Sequence, residues 1–338
     1  MNYRRFGSTD MKVSEIGLGG GRLGATLRRG TSAEMIKMLR EAFDSGITFY
    51  DTADIYGQGK SEDLIGRALK KHRNEIVIAT KTGYRLSTAA GLAAKLKPAL
   101  RPFIRSFRPL RRFAATTRSS QMSQDFSAGH IRDSIEGSLR RLQTDRIDLY
   151  QLHSPPRDIL RSGEVFSTLD ELKSQGKIRY YGVSCLTVED AVISLQQPGV
   201  SSVQVAINLL EREAITRLLP LSKARIVAVI ARQPFASGFL TQSQAEIDSP
   251  AAVDQDLLER KARAAAAFRF LANKTRSMAQ AAIQFTLCQD GVSVVLPGTS
   301  SIEHLRENLG ALTAPSLTDR EMSIIDSVGE GEHAVRRA

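Results

Sequence analysis

The chain of 338 residues contains only two cysteines and no long apolar run. Cys185 and Cys288 lie far apart and outside any CxxC spacing, which excludes a zinc ribbon and a disulfide framework and fits a reducing compartment. No segment reaches the roughly 18 consecutive apolar residues that a membrane-spanning helix requires. The first ten residues, MNYRRFGSTD, lack the apolar centre of a secretory signal. We therefore expect a cytoplasmic protein with no membrane span.

The composition is that of a globular protein, with 42% hydrophobic and 25% charged residues, but its net charge of +11 is unevenly distributed. Nine basic residues and a single acid, Asp125, fall between Tyr84 and Ala128. This basic insertion (residues 84–128) also has apolar residues at helical spacing, interrupted by prolines: Leu96, Leu100, Phe103, Phe107 and Leu110. It is either a solvated excursion or a surface that contacts an anion, a membrane or a partner. No nucleic acid is expected, because the few aromatic rings of this segment do not make the interleaved platform that binds single strands.

Outside the insertion, short apolar runs alternate with amphipathic helical patterns. Eight strands are predicted: Glu15–Gly19, Ile47–Asp51, Glu75–Thr80, Ile147–Leu152, Ile178–Ser184, Val203–Asn208, Ile226–Ala231 and Val292–Leu296. Helices are predicted after them: Ser32–Asp44, Ser61–Lys71, His130–Leu142, Val165–Gln175, Val188–Gln196, Ala214–Lys223, Asp256–Ala272, Ser277–Gln289, Ser301–Leu309 and a last one from Thr318. Thr31 or Ser32 is expected to cap the first helix, and Ser61 the second.

Apolar strands separated by helices are typical of a parallel sheet that is buried on both faces. Eight strand–helix units in one run favour an α/β fold of the (β/α)8 TIM-barrel type, with a doubly wound sheet as the alternative. Tyr3–Phe6 and Met11–Val13 are expected to form a hairpin that closes the bottom of the barrel. No linker divides the chain, so we expect one domain over residues 1–338.

The first predicted strand ends in a glycine-rich segment that matches GxGxxG, from Gly19 to Gly24. A dinucleotide fingerprint requires such a loop to open directly into a helix, and residues 25–30 have no clean apolar stripe. The segment is therefore better interpreted as a turn, in which Gly20 and Gly21 let a ligand approach the backbone closely.

Polar residues at three successive strand ends are candidates for catalysis: Asp51 and Tyr56 in DTADIYG, Lys81 in ATKTG and His153 in YQLH. Carboxyl ends of barrel strands converge on one face, so these four side chains are expected to meet. A tyrosine can act as a general acid when a nearby ammonium lowers its pKa, and a carboxylate keeps that ammonium paired. A neutral histidine can orient a carbonyl. Since no side chain can supply hydride, a nicotinamide cofactor is required.

At these residues the sequence resembles the aldo-keto reductase family. The motifs DTADIYG, ATKTG, DLYQLH, GVSC, QVAINLLER, PFASGFL and VVLPGTSSIEHLRENLGAL are similar to that family's in order and spacing, from about residue 3 to 312 except for the insertion. The resemblance implies a (β/α)8 barrel that uses NAD(P)H to reduce aldehydes and ketones. It implies that Tyr56 is the general acid/base, that Lys81 and Asp51 tune it, and that His153 orients the carbonyl.

The resemblance also implies a cofactor site. Ser184 and Gln204 would hold the nicotinamide carboxamide, and Asp51 would also reach the nicotinamide ribose. Gly238 and Leu240 would lie along the pyrophosphate through main-chain contacts. The adenosine end would lie against the loop and helix that contain Gly298, Thr299, Ser300, Glu307 and Asn308.

Four departures from the family pattern affect the cofactor prediction. Cys185 stands where Asn is frequent, and Arg232 stands where an aromatic ring commonly stacks on the nicotinamide. A guanidinium can also stack, but its charge disfavours the oxidised ring. The Gly298–Ser300 loop lacks a basic residue for a 2′-phosphate, and His304 replaces a frequent Arg. We expect NADP, with NAD as the alternative.

The insertion leaves the third strand directly after Lys81, so both its ends are expected at the mouth of the site. Its arginines would then favour an anionic carbonyl substrate. The leading functional interpretation is an enzyme that interconverts a carbonyl and an alcohol. The alternative is a nicotinamide-binding, redox-sensing regulatory subunit with little turnover. The oligomeric state stays open.

Overall fold

A computed structural model of the chain describes residues 1–23, 31–86, 122–241, 255–299 and 301–335. Its strands are β1 Tyr3–Arg5, β2 Lys12–Ser14, β3 Leu18–Gly19, β4 Phe49–Asp51, β5 Val77–Thr82, β6 Tyr84–Leu86, β7 Met122–Gln124, β8 Ile147–His153, β9 Ile178–Ser184, β10 Val200–Ala206, β11 Ala228–Arg232 and β12 Val292–Leu296.

Eight of these strands form one parallel sheet in the order β3-β4-β5-β8-β9-β10-β11-β12, so each strand pairs with the next one in the barrel. Parallel bridges from Ile16 to Val295 and from Gly19 to Gly298 join the two edges of the sheet. This closure confirms the (β/α)8 barrel and rules out the doubly wound alternative.

The helices surround the barrel. They are α1 Ser32–Asp44, α2 Lys60–Leu69, α3 Ala128–Leu142, α4 Arg157–Ser162, α5 Glu164–Ser174, α6 Val188–Ser194, α7 Glu213–Arg217, α8 Leu219–Ala224, α9 Gln255–Ala266, α10 Met278–Leu287, α11 Ile302–Leu309 and α12 Asp319–Val335. Among the residues that the structure describes, no helix is both long and apolar enough to cross a membrane.

Two local expectations are corrected by the structure. Thr31 caps α1, but Ser61 lies inside α2, and its hydroxyl donates to the backbone oxygen of Gly20, 3.0 Å away. The predicted helix over residues 214–223 is divided into α7 and α8. Helix α4 was not predicted from the sequence.

The β1–β2 hairpin closes the amino-terminal end of the barrel, as expected. It is antiparallel, and the fully buried Phe6 at its turn stacks on Phe49 of β4, with ring centroids 5.6 Å apart. Met11 and Val13 pack into the same interior cluster as Val77. These buried side chains fill the interior of the barrel at its amino-terminal end.

A second hairpin, β6–β7, joins the two ends of the basic insertion. The sequence did not predict it, because its strands are separated by residues 87–121, which lie outside the described residues. The apolar positions from Leu96 to Leu110 and most of the insertion's basic residues fall in that range.

A buried carboxylate cluster connects the loop after β4 to α2 and α3. Glu62 is fully buried and accepts hydrogen bonds from Thr80 and from Arg141, both at 2.6 Å. Burial, reinforced by the charge of Glu62, raises the pKa of nearby Asp54 to about 7. The backbone N–H of Asp54 donates to the backbone oxygen of Lys81 (3.2 Å), which links this cluster to the candidate site.

We expect Asp54→Asn to stabilise the protein increasingly as pH rises. The folded pKa near 7 lies above the unfolded value of about 3.9, so the native state holds a proton that the unfolded state releases between these pH values. Native stability therefore falls as pH rises through this window, and a neutral amide avoids the loss. The variant's advantage in free energy of unfolding should grow by about 3 kcal/mol between about pH 4.5 and 8, measured by urea denaturation.

Asp145→Asn is the matched control, because it makes the same substitution at a side chain that is 84% exposed. An Asp54→Asn advantage that stays constant over the same pH range would contradict a protonated Asp54.

Candidate active site

A buried ion pair lies at the carboxyl ends of β4 and β5. Lys81 is completely buried, and its Nζ donates to Asp51 Oδ2 (2.5 Å) and to the backbone oxygen of Thr52 (2.8 Å). Asp51 is 4% exposed. A buried ammonium is costly unless a countercharge and hydrogen bonds compensate for its lost hydration, and both are present here.

The second oxygen of Asp51 is held by two amides. Its Oδ1 accepts from Gln204 Nε2 (2.8 Å) and Gln151 Nε2 (3.2 Å), and Ser184 Oγ donates to Gln204 Oε1 (3.2 Å). The hydrogen bonds therefore run from Lys81 to Ser184 through side chains of five strands. Gln151 was missed at the sequence level, although an uncharged amide within the apolar run IDLYQLH was a usable signal.

Tyr56 lies above the ion pair, in the loop between β4 and α2. The Nζ of Lys81 is 5.2 Å from the centroid of its ring. Burial raises the pKa of Tyr56 above its usual value of 10.0, and the positive charge of Lys81 is the largest effect in the opposite direction. The expected lowering by Lys81 is therefore present, but burial outweighs it.

His153 ends β8 and lies between two tyrosine rings. Its ring centroid is 5.7 Å from that of Tyr56 and 4.9 Å from that of Tyr84, and both contacts are edge-to-face. Burial, together with the charges of Lys81 and Arg232, lowers the pKa of His153 to about 3. The imidazole is therefore neutral at pH 7. In this form it can still donate one hydrogen bond to a carbonyl without adding a positive charge to the site.

A cavity of about 660 Å³ opens over these residues at the carboxyl ends of the strands. The predicted site residues at its polar end are Asp51, Tyr56, His153, Ser184, Gln204 and Arg232. Those along its remainder are Gly21, Gly238, Gly298, His304, Glu307 and Asn308. Lys81 lies beneath this surface, behind Asp51.

Four other predicted cofactor residues do not line the cavity: Gly20, Leu240, Thr299 and Cys185. Gly20 is buried against Ser61 and the backbone of Asp51, and Leu240 packs in an apolar cluster. Thr299 is 2% exposed, and its hydroxyl donates to the backbone oxygen of Ser301 (3.2 Å). Ser300 lies outside the described residues.

Cys185 is the fourth residue away from the cavity. Its side chain is fully buried beside Ser194, and burial raises the pKa of its thiol to about 12. Its backbone oxygen, however, accepts a hydrogen bond from Arg232 Nη2 (2.9 Å) and thereby anchors the guanidinium. Cys185 thus acts on the cavity through its backbone and not through its thiol.

Sequence reasoning missed Arg22 and Tyr84, which also line the cavity. The position of each was a usable signal, because Arg22 follows the glycine run and Tyr84 follows ATKTG. In the loop after β11, only Gly238 and Leu240 were predicted. The backbone of this loop is strained. Gln233, Ala236 and Ser237 have φ values of 57°, 48° and 60°, in the left-handed region that side chains disfavour.

The family model for the aldo/keto reductase family matches residues 15–330. The chain is 31% identical over 336 residues to the uncharacterized oxidoreductase YqkF of Bacillus subtilis (strain 168), covering 97% of this chain and 96% of YqkF. It is 29% identical to L-galactose dehydrogenase of Arabidopsis thaliana over 93% of this chain and 88% of that protein.

Among solved structures, the holo form of the aldo-keto reductase AKR11C1 from Bacillus halodurans superposes with a TM-score of 0.75. The two chains are 29% identical, and the match covers 97% of this chain and 96% of that one. Near-complete coverage in both directions means that the similarity extends over nearly the whole barrel. The chain belongs to the aldo/keto reductase family.

Proposed function

We propose that the protein is an NAD(P)H-dependent oxidoreductase that interconverts an aldehyde or ketone and an alcohol, with Tyr56 as the general acid/base. One observation carries this proposal. A fully buried, paired Lys81 lies 5.2 Å from the ring of a tyrosine that lines the same end of the cavity as the neutral His153.

Each residue has a distinct role in reduction. Tyr56 gives its phenolic proton to the carbonyl oxygen, which becomes the alcohol hydroxyl. Lys81 stabilises the phenolate that remains, and Asp51 holds Lys81 in place. His153 donates a hydrogen bond to the carbonyl oxygen and orients it. A bound reduced nicotinamide supplies the hydride, which no side chain of the site can provide.

The residues present fit such a cofactor. Asn308 is 3% exposed and lines the cavity, yet its Nδ2 has no acceptor among the described residues, which leaves a donor for a bound ligand. Ser184 and Gln204 would hold the carboxamide, and the main chain near Gly238 would hold the pyrophosphate.

We propose NADP as the cofactor, with NAD as the alternative. Arg22 contributes a cation at the end of the cavity formed by Gly298, where a Cβ would lie 3.8 Å from its Nε. This guanidinium supports phosphate binding. Neither His304 nor Glu307, which line the cavity from α11, is a second strong cation, and Arg306 on the same helix pairs with Glu41 at 2.7 Å. The support for NADP over NAD, which lacks the 2′-phosphate, therefore rests on Arg22.

The substrate is proposed only as an aldehyde or ketone. The preference for an anionic compound was based on the arginines of the basic insertion, and all of these except Arg85 lie outside the described residues. Arg85 itself is paired with Asp125 at 2.8 Å, so it does not contribute an unpaired charge to the cavity.

Replacing Tyr56 by Phe should remove the proton donor and leave the cavity intact. We expect kcat/KM for carbonyl reduction to fall at least about 100-fold, the usual contribution of a general acid, with the Kd of NADPH changed less than about twofold. The measurements are NADPH oxidation with a panel of carbonyl compounds and fluorescence titration of NADPH.

Tyr3→Phe removes a hydroxyl at the opposite end of the barrel, where it bonds the backbone oxygen of Gly46, and serves as the control. Retention of full activity in Tyr56→Phe would eliminate Tyr56 as the acid. A wild-type protein that binds NADPH but reduces no carbonyl would instead support the regulatory alternative.

Arg232 is expected to favour reduced over oxidised cofactor. Its only described hydrogen bond goes to the Cys185 backbone, and none of the described carboxylates lies within salt-bridge distance of it. A cation beside the nicotinamide repels the oxidised, positively charged ring. Arg232→Gln should therefore lower the ratio of Kd for NADP⁺ to Kd for NADPH by about fivefold, equivalent to about 1 kcal/mol.

The two dissociation constants are measured by calorimetric titration of each cofactor form. Arg132→Gln, which removes a half-exposed guanidinium on α3 paired with Glu171, is the control for a general change in net charge. An unchanged ratio in Arg232→Gln would show that this guanidinium does not face the nicotinamide.

A further inference from the structure

Within the described parts of the chain, no hydrogen bond fixes the orientation of the His153 imidazole. Histidines at functional sites are usually held by a bond to one ring nitrogen while the other nitrogen acts. In His153 the Nδ1 atom is buried and bonds to none of the described residues. The orientation of the ring must therefore depend on what packs around it.

Two aromatic rings surround this imidazole. Tyr56 meets it at an interplanar angle of 87° and Tyr84 at 89°, and Tyr84 is the closer of the two by centroid distance, 4.9 Å against 5.7 Å. Edge-to-face pairs at these separations are energetically favourable and directional. Tyr84 has no part in the proposed proton transfer, so its contact with His153 calls for a separate explanation.

Tyr84 is supplied by the hairpin at the base of the basic insertion. In the antiparallel register Tyr84 lies opposite Gln124, so both side chains are on the same face. Gln124 Nε2 donates to the backbone oxygen of Ser154 (2.7 Å), the residue that follows His153. One face of the hairpin thus contacts the His153 ring and the adjoining backbone.

The two sides of the hairpin are also joined at the end next to β5. The backbone N–H of Asp125 donates to the backbone oxygen of Gly83 (2.9 Å). Gly83 has a φ of +124°, and the ring of Phe126 occupies the space where a side chain at this position would lie. Tyr84 consequently reaches the cavity from a backbone that is held on both sides.

We propose that Tyr84 is a positioning residue for His153 and that the β6–β7 hairpin thereby makes the base of the basic insertion part of the active site. The ring of Tyr84, together with that of Tyr56, covers part of the imidazole and leaves Nε2 as the nitrogen that faces the substrate. The effect on catalysis rests on the proposed role of His153 as the donor to the carbonyl.

The test compares Tyr84→Ala, Tyr84→Phe and Gln124→Ala in the full chain. Tyr84→Ala should lower kcat about tenfold, because the imidazole loses its alignment, with the Kd of NADPH changed less than about twofold. Tyr84→Phe keeps the ring and should retain activity within about twofold, and Gln124→Ala should lie between the two. Ser123→Ala, which alters the exposed, opposite face of the hairpin, is the control.

A second readout is independent of turnover. The chain has five histidines, and the NMR signal of His153 is identified by its loss in His153→Gln. In the wild type this signal should not titrate between about pH 5 and 8, because the pKa of His153 is about 3. In Tyr84→Ala water reaches the ring, and the midpoint should move up towards the unperturbed value of about 6.5.

An unchanged midpoint and kcat in Tyr84→Ala would overturn the proposal. So would an equal loss in Tyr84→Phe, because the hydroxyl and not the ring would then be the active feature. If the wild type reduces no carbonyl, the proposed function fails, while the titration still decides whether Tyr84 holds His153.

Discussion

The ion pair between Lys81 and Asp51 is the interaction on which the site depends. An ammonium with no exposed surface is tolerated only because Asp51 and the Thr52 carbonyl accept its hydrogen bonds. Two glutamine amides donate to the other oxygen of the carboxylate. The pair places a fixed positive charge below Tyr56. The same charge helps to keep His153 neutral, so one buried cation acts on both residues that are proposed to contact the carbonyl oxygen.

The barrel makes this arrangement possible because its strands end together. Asp51, Lys81, Gln151, Ser184 and Gln204 come from five different strands, and the parallel register brings them to the open end of the sheet. The hairpin plug at the other end closes the interior with apolar side chains. The cavity therefore opens at the carboxyl ends of the strands, where the proposed cofactor and carbonyl would bind.

Features of short sequence range could be predicted well. The strands Ile178–Ser184 and Val292–Leu296 and the helix Ser32–Asp44 have the predicted bounds, because their periodicity and caps are local. The cavity-facing position of Ser184 also implied, by strand alternation, that the Cys185 side chain points away from the cavity. That inference was available from the sequence and was not drawn.

What could not be predicted depends on contacts between distant segments. Ser61 resembles a helix cap, but Gly20, which lies 41 residues earlier, accepts its hydrogen bond. The β6–β7 hairpin joins strands on either side of the insertion, so no local pattern reveals that Tyr84 and Gln124 lie opposite each other. The pKa of Asp54 depends first on its burial and then on the charges of Glu62 and Arg141, all of which are properties of the folded chain.

The most direct test of the central claim is a double-mutant cycle on the free energy of unfolding with Asp51→Asn, Lys81→Met and the double variant. The account predicts that each single variant is strongly destabilised, because it leaves a buried group without its partner. The double variant should lose less than the sum of the two, with a coupling energy of about 2 to 3 kcal/mol. Additive losses would contradict the claim that this pair organises the site.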